Sequence, residues 1–270
     1  MIKTCLLMAL SLLSFSWAGA QNYQMKTDIG YVADPCDDYQ RERCKLDLYY
    51  PTDVQDFPTI IWFHGGGLTA GHKEIPAPLK NQKFAVVAVN YRLAPKVKSA
   101  DCIRDAAAAV AWVVENIEKY GGSKSRIVIA GHSAGAYLTS MVTLDKRWLA
   151  PYGIDPDSFL AAAPISGNAF CHIVYRQEQD FDRSKPLVDD MAPIFHCRPD
   201  APPIFFFSGD REMEFMGRYE EIAVFWRTMK LCGHKNCYIY EMQGYDHGGM
   251  ANPSFPVLLR HLRKLLTIQK

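Results

Sequence analysis

The sequence predicts an α/β fold, with a mostly parallel central sheet, helices on both faces and only a short insertion. Three observations carry this. Short apolar runs recur between longer helix-compatible stretches, the alternation that builds parallel sheets. Several of the runs are apolar at nearly every position, as strands covered on both faces must be. Turns rich in glycine or carrying charge follow several of the runs at their carboxyl ends, where open α/β sheets place their ligands.

Taken in order, Gln21 to Arg43 is polar and irregular. Cys44 to Pro51 alternates polar and apolar residues, which suits a half-buried antiparallel strand near the sheet edge. Pro58 to Phe63 is a buried strand that ends in His64-Gly65-Gly66-Gly67, and Phe84 to Asn90 is a second central strand. Ser99 to Tyr120 is an alanine-rich helix with Ser99 as N-cap and Gly121-Gly122 as its stop. Ile127 to Ala130 is a strand that enters Gly131-His132-Ser133-Ala134-Gly135, followed by a helix to Leu144. Phe159 to Ile165 and Pro203 to Ser208 are further strands, and between them residues 168–201 form an excursion over the carboxyl-end face. Its aromatics Phe170, Tyr175, Phe181 and Phe195 pack the loop onto the core or wall a pocket. Glu214 to Leu231 is helical, Cys237 to Met242 is the last strand, and Ser254 to Leu266 the final helix.

A chain of 270 residues, 49% hydrophobic, is long enough for a single large domain over 21–270. A net charge of +1 with scattered basic residues offers no footprint for nucleic acid or an anionic membrane. Residues 1–20 carry Lys3, an apolar Leu6 to Trp17 and the small-residue site Ala18-Gly19-Ala20, the pattern of a secretory leader cut after Ala20. The apolar stretch is too short and too serine-broken for a transmembrane span. Export favours disulfides among the seven remaining cysteines: Cys232 and Cys237 are spaced to close a small loop, Cys36 to meet Cys44 and Cys171 to meet Cys197, with Cys102 the odd one out and the connectivity left open by the sequence. No cysteine or histidine spacing suits a metal, and no cofactor motif is present.

The chemistry centres on Gly131-x-Ser133-x-Gly135 between a strand and a helix. Such a turn lifts a serine hydroxyl clear of the sheet, and small residues flank it because the backbone is crowded there. A serine needs a base to take its proton and an acid to orient that base, in the chain order serine, acid, histidine. His247, in the loop Gly244-Tyr-Asp-His247-Gly-Gly after the last strand, is the expected base. Asp210, at the end of Phe205-Phe-Phe-Ser-Gly-Asp210, is the expected acid, with Glu212 and Glu214 as alternatives and Asp246 disfavoured because it adjoins His247. The developing oxyanion needs preorganised N–H donors. Gly66 and Gly67 supply them together with Ala134, the residue after the nucleophile, while His64 holds the loop. Arg92 either braces that loop or forms a buried ion pair.

His64-Gly-Gly-Gly67, Asn90-Tyr-Arg-Leu-Ala-Pro95 and Gly131-His-Ser-Ala-Gly135 together resemble the α/β-hydrolase superfamily, in its hormone-sensitive-lipase-like and bacterial esterase branch. Ser208-Gly-Asp210 and Asp246-His247-Gly248 are similar to its acid and histidine segments. The resemblance runs from about Asp47 to the end. The chain lacks that branch's long N-terminal cap, and His132 stands where the branch often has aspartate. Both departures resemble compact secreted esterases that remove acetyl or feruloyl groups from plant polysaccharides. The resemblance implies an α/β-hydrolase fold and hydrolysis of a small-molecule or oligosaccharide ester without a cofactor. An amidase of arylformamidase type or a peptidase would use the same triad, and a catalytically silent binding protein would be expected to have lost it.

Overall fold

The computed structural model describes residues 22–268; the expected leader and its cleavage after Ala20 lie outside the described residues. Among the described residues, eight strands form one sheet: β1 (Tyr23–Gly30), β2 (Lys45–Pro51), β3 (Phe57–Phe63), β4 (Ala85–Val89), β5 (Gly122–His132), β6 (Ala161–Ile165), β7 (Ile204–Gly209) and β8 (Cys237–Met242), in spatial order β1-β2-β4-β3-β5-β6-β7-β8. The β1/β2 and β2/β4 pairs are antiparallel and the remaining pairs parallel. This is the α/β-hydrolase fold.

Six α-helices among the described residues accompany the sheet: α1 (Asp38–Arg43), α2 (Ser99–Asn116), α3 (Ala134–Leu144), α4 (Ile173–Glu178), α5 (Arg218–Leu231) and α6 (Ala251–Ile268). Strand side chains alternate between faces, and the core divides accordingly. Ile61, Phe63, Val87 and Ile129 pack with α2 and α3. Ala162, Ile204 and Phe206 continue that face beneath α5. Ile60, Trp62, Val86, Val128 and Phe207 meet α6 on the other. All seven residues of β3 are buried, which explains why every one but Thr59 is apolar.

The structure departs from the sequence expectations at the N-terminal segment. Residues 22–43 contain β1 and α1 rather than irregular chain. β1 runs along β2 with most of its residues exposed, so its polar composition reflects an edge strand with little core to touch, while β2, antiparallel to both neighbours, lies next to the edge as expected. Ser99 is the first helical residue of α2, not its N-cap, and its hydroxyl donates to Glu178 Oε2 at 2.9 Å. That bond ties α4, in the excursion, to the start of α2. The helix predicted from Glu214 begins only at Arg218.

The expected disulfides are absent among the described residues. All seven cysteines are thiols. Cys171 Sγ–H donates to Asp189 Oδ1 at 3.0 Å, and Cys237 Sγ–H to the His234 carbonyl at 3.7 Å. Burial pushes the thiols of Cys44, Cys102, Cys171 and Cys197 up to about 12, so they remain protonated and behave as small apolar groups.

Candidate active site

β5 delivers Ser133 at φ 56°, ψ −117°, outside the regions ordinary residues favour. The flanking glycines explain how the chain tolerates it. A Cβ at Gly131 would lie 2.4 Å from the Gly135 carbonyl oxygen, and one at Gly135 would lie 2.0 Å from that of Phe63. Strand end and helix start are therefore pressed together and onto β3, which leaves Ser133 at the apex. Its N–H donates to Ile165 O at 2.8 Å, and the next strand end repeats the move, with Ser166 N donating to Phe207 O at 2.8 Å. β5, β6 and β7 thus finish side by side.

His247 Nε2 lies 2.9 Å from Ser133 Oγ, and its Nδ1 lies 2.6 Å from Glu214 Oε1. The carboxylate at the histidine is Glu214, not the expected Asp210. Asp210 does stand at the end of β7, but its side chain turns outward, accepting from Gly244 N at 2.7 Å and Glu212 N at 3.0 Å. Those bonds hold its carboxyl below the usual range. Its carbonyl accepts from Met213 N and Glu214 N, so the chain reverses and returns Glu214 beneath the imidazole. Asp210 joins the acid loop to the histidine loop. Glu212 does not reach the histidine, and Asp246 Oδ1 caps its own turn by accepting from Gly249 N at 2.7 Å.

Four donors converge on the Glu214 carboxylate. Oε1 accepts from His247 and from Phe215 N at 2.9 Å; Oε2 accepts from Ser166 Oγ at 2.7 Å and Gly209 N at 3.2 Å. Its side chain has no exposed surface. Burial alone would raise its pKa, but the His247 bond foremost, then Phe215 and Ser166, bring it down to about 2. Ser166, fully buried at φ 52°, also places Oγ 2.9 Å from His247 Nδ1.

Two rings pack against the imidazole. Phe215 stacks on one, with centroids 4.0 Å apart and planes at 25°. His132, with its ring centroid 4.8 Å away, places Nε2 2.8 Å from the His247 carbonyl oxygen. Burial first, then His247, lowers the pKa of His132 to about 4. As a neutral ring it serves as a donor that pins the loop.

The glycine loop after β3 has the shape the sequence implied. Gly66 lies at φ 105° and Gly67 at φ 63°, conformations open to glycine, and a Cβ at Gly66 would meet the Ala70 carbonyl oxygen at 2.3 Å. Ala134 opens α3, where a helix leaves its first N–H groups without intrahelical partners. A Cβ at Gly65 would lie 3.3 Å from Ser133 Cβ, so the loop and the nucleophile adjoin. His64 fixes the loop as expected: Nδ1 sits 2.7 Å from Gly65 O, the ring stacks on Tyr91, and Tyr91 Oη donates to His64 O at 2.8 Å. Arg92 forms the buried ion pair, giving Asp105 two side-chain bonds of 2.8 Å each. It braces the loop only through the chain, since Ala94 N donates to Leu68 O at 2.8 Å.

Sequence reasoning missed Glu214 as the preferred acid, and missed Ser166 and Phe215 altogether. Two signals pointed to them. A carboxylate inside Met213-Glu214-Phe215-Met216 is poorly placed to be a solvated helix start. Pro164-Ile165-Ser166-Gly167 is one more small polar turn at a strand end.

The family BD-FAE matches residues 46–150, which span the glycine loop and the elbow. The chain is similar to carboxylesterase NlhH of Mycobacterium tuberculosis, at 37% identity over 35% of this chain and 32% of that protein. It spans about a quarter to a third of the length of the first curated relatives it matches. Among solved structures it resembles a truncated form of a carbohydrate esterase from gut microbiota, with TM-score 0.74, 20% identity and coverage of 92% and 98% of the two chains. Esterase B from Lactobacillus rhamnosis gives TM-score 0.73 and 20% identity, covering 93% of this chain and 88% of that one.

Proposed function

We propose that this α/β-hydrolase is a serine esterase that cleaves short-chain carboxylic esters through an acyl-enzyme, with Ser133 as nucleophile, His247 as base and Glu214 as acid. The unbroken relay from Ser133 Oγ through His247 to Glu214, at 2.9 Å and 2.6 Å, carries the proposal. As Ser133 Oγ attacks the ester carbonyl, its proton passes to His247 Nε2, and Glu214 stabilises the resulting imidazolium. Negative charge builds on the carbonyl oxygen, facing the N–H groups of Gly66, Gly67 and Ala134. His247 then returns the proton to the leaving alcohol, and water repeats the sequence to free the acid and Ser133.

For the substrate we infer an acyl group carried on a carbohydrate. The likeness to a carbohydrate esterase supports that reading, as does the compactness of the excursion over residues 168–201, whose one α-helix among the described residues is the six-residue α4. The leader pattern in residues 1–20 supports action outside the cytoplasm, secreted or periplasmic.

Turnover of p-nitrophenyl acetate by wild type and Ser133→Ala tests the nucleophile; equal rates would overturn it. A panel of acetylated and feruloylated oligosaccharides beside aryl esters, compared by kcat/KM, tests the substrate. Preference for simple aryl esters by more than tenfold would remove the carbohydrate. Cleavage of aryl formamides with esters left intact would make the enzyme an amidase.

A further inference from the structure

We propose that Ser166 is a positioning residue for this reaction, and that it keeps the proton of neutral His247 on Nδ1, leaving Nε2 free to accept from Ser133. The inference rests on the esterase reading above.

It follows from counting protons. The Ser166 hydroxyl has one hydrogen and two neighbours in range, Glu214 Oε2 at 2.7 Å and His247 Nδ1 at 2.9 Å. An ionised carboxylate only accepts, and Glu214 is held ionised by its surroundings, so the hydroxyl hydrogen goes to Glu214. A lone pair of Oγ then faces Nδ1, and that arrangement is attractive only when Nδ1 carries hydrogen. The Nδ1–H is thereby shared between Glu214 Oε1 at 2.6 Å and Ser166 Oγ. The other tautomer would set a bare Nδ1 against two acceptors. Ser166 also anchors the oxygen of Glu214 that the histidine does not touch, where the remaining donor, Gly209 N, is longer at 3.2 Å.

The backbone at this position favours a different residue. At φ 52° Ser166 is in the left-handed region, where glycine is at ease and other residues are strained. The position is fully buried, its N–H is bound to Phe207 O, and Arg218 Nη1 donates to its carbonyl at 3.3 Å. Everything but the hydroxyl would be served by glycine. The two bonds to the catalytic pair account for a serine there.

That contrast supplies the test. Ser166→Ala and Ser166→Gly both remove the hydroxyl, but glycine accepts the backbone, so it carries the test should alanine fail to fold. In both, kcat on p-nitrophenyl acetate is expected to fall about 10- to 100-fold, the worth of one hydrogen bond to a charged group, with KM within about twofold. Thermal midpoints should separate the two variants, with Ser166→Gly, which is free of the left-handed strain, above Ser166→Ala. Histidine ¹⁵N shifts of the resting enzyme should report a protonated Nδ1 and bare Nε2 at His247 in wild type, moving toward a tautomer mixture in Ser166→Gly. A wild-type kcat in Ser166→Gly, or a loss of kcat with the ¹⁵N pattern unchanged, would overturn the proposal. Ser133→Ala run in parallel separates the failures: if it still turns over, the esterase reading itself falls; if it is dead while Ser166→Gly is fully active, only the role of Ser166 does.

Discussion

Replacing Glu214 by glutamine preserves size and shape but sets an amide among four donors. His247 Nδ1 and Phe215 N face one oxygen, and Ser166 Oγ and Gly209 N the other. Whichever way the amide is turned, its NH₂ group faces two of them. Turned toward Phe215 it opposes a backbone N–H and favours the wrong histidine tautomer. Turned toward Ser166 it lets the hydroxyl rotate, but opposes Gly209 N, which cannot. Losing one charge-assisted bond costs about 1.5–3 kcal/mol and stranding one buried N–H about 1–3 kcal/mol. Together that is about 2.5–6 kcal/mol, or about 10²–10⁴ in kcat at 1.36 kcal/mol per decade, the range in which a mis-set tautomer falls in other triads. The assay is kcat on p-nitrophenyl acetate for Glu214→Gln beside Asp210→Asn. Asp210 sits at the surface with its oxygens on two backbone N–H groups, so its amide should stay within about tenfold of wild type. The reverse pattern, with Asp210→Asn inactive and Glu214→Gln near wild type, would refute the assignment of the acid.

Other consequences follow from the same geometry. Gly66→Ala places a methyl group 2.3 Å from the Ala70 carbonyl oxygen at φ 105°, so the loop must move; kcat should fall about 10²–10³-fold, as when an oxyanion donor is lost, and a wild-type rate would contradict the placement of the hole. Glu214 is depressed from 4.5 to about 2 on folding, so its stabilising contribution is present above about pH 4.5 and is lost as pH falls toward 2. The gap in thermal midpoint between wild type and Glu214→Gln should therefore be widest above pH 4.5 and close toward pH 2; a gap that does not change with pH would count against the relay. Phe215 stacks on His247 yet is 58% exposed, beside the place where the leaving alcohol takes its proton. Phe215→Ala should lower kcat/KM for ring-bearing alcohols about 2- to 12-fold and leave methyl esters within about twofold; an equal loss on both would make the stack structural.

The parallel strands and the elbow were legible in the sequence because burial on both faces forces uniform apolarity and because crowding at the turn forces glycine. Ile127 to Ala130 and Gly131 to Gly135 carry both constraints. The histidine was legible because few positions lie in a loop after the last strand. The acid was not, because the strand-end rule fixes where the chain leaves the sheet and not where a side chain points. A four-residue reversal at Asp210 exchanged the expected carboxylate for Glu214, and that reversal rests on hydrogen bonds to Gly244 and Tyr245, residues remote in sequence. β1 escaped for another reason: an edge strand with one neighbour buries little, so its composition resembles that of a loop.

The account stands or falls on Ser133 as the residue that carries the acyl group. Treatment with a fluorophosphonate, followed by proteolysis and mass mapping of the adduct, tests this directly. A single phosphonyl group on Ser133, coincident with loss of esterase activity and absent from Ser133→Ala, is the predicted result. A label on another residue, or full activity remaining once Ser133 is modified, would contradict it.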